Sequence, residues 1–377
     1  MKMSSFRKGC CALTAGLGVL PLSASAKDAW LEVGPAFRMG MQVKVTGSSY
    51  ARDNAAWHDA QHTGPLTAPG GIGTVGDYGD RSYDNGYVNR DAATGNPASL
   101  DPNTTWNWGY QNASQYNSTA NTLSYQKTGA PGYVNTVNKS VSTSDDVSGC
   151  GIELSGGLPL YDQEGWSVDL CFGFSGVWGS KLRINTSNYS EDLRQIVTTD
   201  VYSTAGVAAA DFPAAGYSGT YDGPFGTPPA GGTLVPNLPT SRNSVSNHLS
   251  TTSNNINFAV DQSIFQFSVG PQIGWAASDK VSFNLRPTVS LNIVDVDVSR
   301  NETFGANSAA DHGSSTDVFF GMGVIAGVNV DLGRGFYVGV HGGYEWVSET
   351  VDVSVGPNTV SFDGSSFVLG AEVGWNF

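Results

Sequence analysis

Val281-Ser282-Phe283-Asn284-Leu285-Arg286-Pro287-Thr288-Val289-Ser290-Leu291-Asn292-Ile293 is the stretch whose reading decides the fold class. Val281, Phe283, Leu285, Val289, Leu291 and Ile293 hold odd positions, whereas Ser282, Asn284, Arg286, Thr288, Ser290 and Asn292 hold the even ones. Successive side chains of a strand point to opposite faces, so this spacing makes one apolar and one polar face. A helix, whose faces repeat every ~3.6 residues, would mix the two sets.

Seven further segments carry the same alternation. In 31–45, Leu31, Val33, Pro35, Phe37, Met39, Met41, Val43 and Val45 share one face against Glu32, Gly34, Ala36, Arg38, Gly40, Gln42 and Lys44. The others are 149–160, 166–178, 263–276, 317–332, 336–346 and 366–377. Each reaches the roughly 9–11 residues that a tilted strand needs to cross a bilayer. The pattern predicts an all-β fold, an eight-stranded antiparallel up-and-down transmembrane barrel.

The connections argue independently. Tight turns at 161–165, 277–280 and 333–335 alternate with longer links at 46–148, 179–262, 294–316 and 347–365. Strict alternation places every short turn on one rim and every long loop on the other, the asymmetry of barrels with periplasmic turns and extracellular loops. A soluble β-sandwich would alternate too, but it has no reason for one-sided loop lengths. Aromatic residues mark both strand ends: Trp166, Trp275, Phe336, Trp375 and Phe377 near the short-turn rim, Trp178 and Trp346 near the other. Amphipathic rings at those levels form interfacial girdles, which makes membrane lipid the expected surroundings.

Residues 1–26 read as a signal peptide. Lys2, Arg7 and Lys8 precede an apolar run that ends in Ala24-Ser25-Ala26, with cleavage expected after Ala26. The barrel is expected to occupy 27–377. The whole chain carries a formal charge of −14, and loss of the three N-terminal cations makes the mature chain more acidic still. That balance speaks against nucleic acid, whose phosphates need excess Lys and Arg. Cys150 and Cys171 remain after cleavage, placed by the alternation on opposite faces of neighbouring strands and several residues out of register, so no bridge between them is expected.

Counting inward from the short-turn rim puts Arg38, Glu153, Arg286, His341 and Glu372 at similar depth in the interior. Buried charges need partners, and an eight-stranded barrel has room for little besides side chains. A salt-bridged plug is the expected role of this cluster, and a gate for protons or ions is the alternative. A catalytic reading would join His341 and Glu345 to Ser175 or Ser268. It is set aside because that His faces a narrow lumen, and no enzymatic activity and no cofactor are expected. Asp77, Asp80 and Asp84 lack the spacing of a calcium loop, and no metal site is expected.

Gly370-Ala371-Glu372-Val373-Gly374-Trp375-Asn376-Phe377 resembles the C-terminal signal that the barrel-assembly machinery of Gram-negative outer membranes reads. The eight-strand layout resembles the OmpA-type and OmpW-type small barrels. The resemblance implies residence in the cell outer membrane and the assembly machinery as a partner. Stretches of the first loop, 80–88 and 106–116, resemble uncharacterised bacterial outer-membrane proteins. Loop segments 106–110 and 122–126 are expected to pair as a hairpin, and the Pro/Gly tract at 212–239 to stay irregular. Two roles stay open: a barrel that anchors large extracellular loops for an unspecified ligand, or a narrow porin-like channel or carrier for small solutes.

Overall fold

The computed structural model describes residues 29–54, 57, 66–68, 81–89, 104–105, 107–163, 165–219 and 234–377. Eight strands make a closed antiparallel ring: β1 (Trp30–Gly47), β2 (Val141–Gln163), β3 (Trp166–Gly179), β4 (Ser241–Ala276), β5 (Val281–Phe304), β6 (Asn307–Gly333), β7 (Phe336–Val347) and β8 (Ser366–Asn376). Consecutive ring strands pair all the way round, and one further pairing, β1 with β8, closes the circle. β1 pairs with β8 from Trp30↔Asn376 to Met39↔Phe367, and β3 pairs with β4 from Trp166↔Trp275 to Trp178↔Ser263. All three expected short turns lie on one rim. At one of them Arg334 and Gly335 adopt the left-handed conformation, φ 60° and 79°, which suits a tight hairpin.

The strands outrun their expected lengths, because the two faces trade chemistry part-way up. On the lower part of β5 the odd residues point outward, with Val289 55% exposed, while Asn284, Arg286, Thr288, Ser290 and Asn292 are buried inside. Above Ile293 the strand stays in register with β6, yet the inward residues become Val294, Val296 and Val298, all buried. Asp295, Asp297, Ser299 and Asn301 now take the outward side. β4 inverts in the same way between the outward Phe265 and the inward Ile264.

β1 reaches the same inversion by a different route and corrects one expectation. Its odd residues do not share a face throughout: Leu31, Val33, Phe37 and Met39 are exposed, but Met41, Val43 and Val45 are fully buried. Pairing with β2 shifts register between Arg38 and Met41, where Gly40 has φ +80°. One extra residue in a strand moves every later side chain to the opposite face. The bulge therefore turns the same odd-numbered apolar series from the outer wall into the interior.

Above the inversion the ring encloses an apolar core that includes Met41, Val45, Ile256, Phe258, Val296 and Phe362. The link expected at 294–316 is not a loop, since β5 and β6 continue to a tight turn at Gly305. In the last link, Val351–Val355 and Asn358–Asp363 form a hairpin, and the second strand takes over from β8 beside β1. The segments expected as loops at 46–148 and 179–262 also carry sheet. Tyr189–Ser203 pairs with the upper half of β4 and with Thr122–Thr128 and Gly132–Asn138. The expected hairpin between 106–110 and 122–126 does not form, because Trp108–Tyr110 pairs with Gly86–Val88 instead. Cys150 is exposed and Cys171 buried, and their strand partners, Trp178 and Gly157, set them seven positions apart. The expected signal peptide, Asp77, Asp80 and residues 220–233 of the Pro/Gly tract lie outside the described residues.

A second core packs the head above the ring from Val88, Trp108, Leu123, Tyr125, Tyr202 and Val235. Tyr83 donates to Asp200 at 2.7 Å and meets the Tyr202 hydroxyl at 2.7 Å, while Arg242 pairs with the same Asp200. Burial pushes the phenol of Tyr202 up to about 12, and burial likewise raises Tyr125 and Tyr83, the last helped by Tyr202 and Asp200. All three phenols are neutral in both folded and unfolded chains below their ordinary value of 10.0. Above it the unfolded tyrosines release protons that the folded ones keep, so stability falls as pH rises from about 10 through about 12. Limited proteolysis across that range is expected to cut the head cooperatively while the ring persists; a head that stays resistant at the top of the range contradicts this burial. Gly40→Val, which forces a branched side chain to positive φ, is expected to cost about 1–3 kcal/mol in urea unfolding. An unchanged midpoint would show that the bulge does not depend on glycine.

Candidate functional site

Inward positions of the lower ring hold the ionisable groups, because the strand phase that puts Leu31, Leu285, Val340 and Val373 outside puts their neighbours inside. Arg286 on β5 lies at the centre of the lower cluster. It reaches Glu32 of β1 at 3.1 Å and Glu153 of β2 at 3.9 Å. Its Nε donates to Gln272 at 2.9 Å and its Nη1 to Ser155 at 3.3 Å. Tyr337 donates to the other oxygen of Glu32 at 2.8 Å. His341 on β7 bridges two carboxylates, with Nδ1 2.9 Å from Glu372 and Nε2 3.3 Å from Glu153. The Arg286 guanidinium also stands 5.4 Å over the Trp30 ring, whose Nε1 donates to Asp169 at 3.0 Å.

Four of the five residues expected to cluster come together in this way: Glu153, Arg286, His341 and Glu372. Arg38 does not join them. It sits higher on β1, pairs with Glu345 of β7, and donates to Gln266 at 2.9 Å. The expectation of one five-membered cluster is therefore corrected to two tiers. Glu32 and Glu345 add two further carboxylates, as the partners of Arg286 and Arg38. Glu345 was already read on the inward face beside His341, and Glu32 shares the inward parity of Arg38, so strand phase was the signal that could have added it to the cluster. Tyr337 has the same parity, but nothing in a single tyrosine marks it as a carboxylate's partner.

The Ser–His arrangement weighed in the sequence is not assembled. Both ring nitrogens of His341 face carboxylates, and Ser175 donates to Gln266 at 3.3 Å. The seven aromatics expected at the girdles, Trp166, Trp178, Trp275, Phe336, Trp346, Trp375 and Phe377, all stand exposed on the outer wall. At the short-turn rim they contact one another: Trp166 stacks with Trp275 at 6.0 Å, and Trp375 lies 4.5 Å from Phe377.

Comparison with protein families finds no match, and none is found among curated proteins. Among solved structures the chain is similar to the outer membrane protease OmpT from Escherichia coli, with 9% identity and a TM-score of 0.34, over 94% of this chain and 99% of that one. The matched structure is a protease, and the expectation of a chain without enzymatic activity is accordingly withdrawn. A likeness of that size assigns no reaction to this chain.

Removing one member of a buried ion pair leaves the other charge without compensation. Arg286→Met is therefore expected to destabilise the folded ring by about 3–5 kcal/mol in urea titration. Adding Glu32→Gln is expected to recover part of the loss. Equal stability of the single variant and the parent would mean that the tier does not hold the interior together.

Proposed function

We propose that the chain is an outer-membrane β-barrel protein of the small OmpA-like or OmpW-like kind, whose closed barrel anchors the extracellular head. The observation that carries this reading is the polarity inversion. Below it lies an apolar outer wall around a polar interior, the arrangement of a wall that faces lipid. Above it lies an apolar interior with a polar outside, the arrangement of a protein in water. From Val281 to Ile293, β5 presents its apolar outer face over 13 residues. At about 3.3 Å per residue and a tilt of about 45°, that run covers roughly 28 Å, close to the thickness of a hydrocarbon core. The exposed aromatics at both ends of the belt suit the two headgroup layers.

Export by the expected signal peptide, cleavage after Ala26 and assembly through the strand that ends at Phe377 fit this location. The interior favours an anchor over a channel. Two ionic tiers cross the lumen at Arg286 and Arg38, and the apolar core fills the ring above them. A solute would have to displace paired charges and then a packed core, each a cost of several kcal/mol.

Reconstituted in planar bilayers, the full chain is expected to give no stable conductance steps, and regular steps would overturn the anchor. Val289→Arg, on the middle of the outer wall, is expected to lower folding stability in lipid vesicles by about 2–4 kcal/mol. Ser299→Arg, outward but above the inversion, is expected to change it by less than about 0.5 kcal/mol. Equal effects would place the membrane elsewhere.

A further inference from the structure

The outer wall of the lower ring carries a hollow of about 760 Å³, within the roughly 300–1,000 Å³ of small-molecule sites. Its floor follows from the pairing register. Leu285, Ala326, Gly342 and Leu369 are successive partners on β5, β6, β7 and β8. The two smallest residues therefore lie between two leucines that are 44% and 47% exposed. Trp275, a girdle aromatic of the short-turn rim, and Phe283 beside it line the other end. Toward the long loops the next outward row, Val324, Tyr344 and Phe367, stands in the way.

A second observation is independent of the hollow's size: the fold does not require glycine at 342. The strand runs through it without a bulge. A Cβ there would meet only Leu369 Cδ2 at 3.0 Å, the end of a flexible side chain. At Gly343, the next residue, a Cβ would lie 2.2 Å from the Val324 carbonyl oxygen, so crowding by β6 accounts for that glycine. Glycine inside a strand gives up packing and entropy, and without a bulge or a crowding backbone its use is close approach by a ligand.

The shape and place of the hollow select its occupant. Its outward side chains are apolar, which calls for hydrocarbon. A two-fold contact between copies through this face would set hollow against hollow and leave a void. An acyl chain is slender and flexible enough to fill it. On the lipid-facing reading of this wall, on which the inference rests, we propose that the hollow binds one acyl chain of a glycerophospholipid. The lipid belongs to the leaflet on the short-turn side, its headgroup at the level of Trp275. The chains of a lipopolysaccharide, entering from the long-loop side, would have to cross Tyr344 and Phe367, which meet edge to face at 4.9 Å.

The test folds the full chain into vesicles of dioleoylphosphatidylcholine and dioleoylphosphatidylethanolamine, with a heat-modifiable gel shift as the check on folding. Extraction in mild detergent and native mass spectrometry then count the lipids retained, with lipid A as the probe in a second run. One retained phospholipid per chain is expected, and no retained lipid A. Gly342→Leu and Ala326→Leu, which fill the floor, are each expected to cut the retained fraction by about tenfold, the equivalent of two methylenes no longer buried. Val289→Leu adds bulk elsewhere on the same wall and is expected to retain lipid as the parent does. If Gly342→Leu fails the gel-shift check, Ala326→Leu makes the same test. An inserted parent without phospholipid, equal retention by the folded filled variants, equal loss in Val289→Leu, lipid A held as well as phospholipid, or a dimer that Gly342→Leu splits would each overturn the site. A chain that never enters the vesicles would overturn the lipid-facing reading itself, and the site with it.

Discussion

Lateral hydrogen bonding of the backbone is the constraint on which everything else in this molecule rests. A strand satisfies its N–H and C=O groups only through neighbours, and an open sheet leaves two edges unsatisfied. Pairing of the first ring strand, β1, with the last, β8, removes both edges at once. Once the ring is closed, strand phase is fixed around the whole circumference, and every residue is committed either to the outer wall or to the interior. Gly34 shows how tight that closure is, since a Cβ there would lie 1.8 Å from the Ala371 carbonyl oxygen of β8.

The closed ring then imposes a local charge problem. Polar residues assigned to the lower interior lose water, and the carboxylates of Glu32, Glu153, Glu345 and Glu372 would be costly there alone. Arg286, Arg38 and His341 answer them from facing strands, each contact bridging parts of the chain far apart in sequence. These pairs contribute less net stability than their number implies, because desolvation offsets much of the attraction. Their firmer effect is on shape: the side chains that neutralise the interior also occupy it.

Higher up the problem reverses, and the chain solves it by two mechanisms. β4 and β5 change which parity is apolar, while β1 keeps its parity and inserts a residue at Gly40. Both give the same level of inversion, above which Val43, Val296 and Phe362 pack as they would in a water-soluble protein. The upper interior is then capped by ions rather than left open. Arg300 contacts Glu302, Asp311 and Asn358, and Glu302 accepts the backbone N–H groups of Tyr50 and Ala51.

The sequence by itself determined the eight strands, the side of the short turns, the outward aromatics and most of the lower charge cluster. The strands, the outward aromatics and the charge cluster follow from a two-residue period that each segment carries within itself, as 281–293 shows most plainly, and the side of the short turns follows from the lengths of the connections. Tertiary structure alone decided the rest. The face switch at Gly40 is invisible to alternation, because an inserted residue changes which side a parity faces without changing the pattern. The partner of Arg38 depended on strand tilt, which moves residues of equal count to different heights and gave Arg38 to Glu345 instead of the lower tier. The head was read as loops because its strands, such as Tyr189–Ser203, draw their order from pairing with distant segments rather than from a clean alternation of their own.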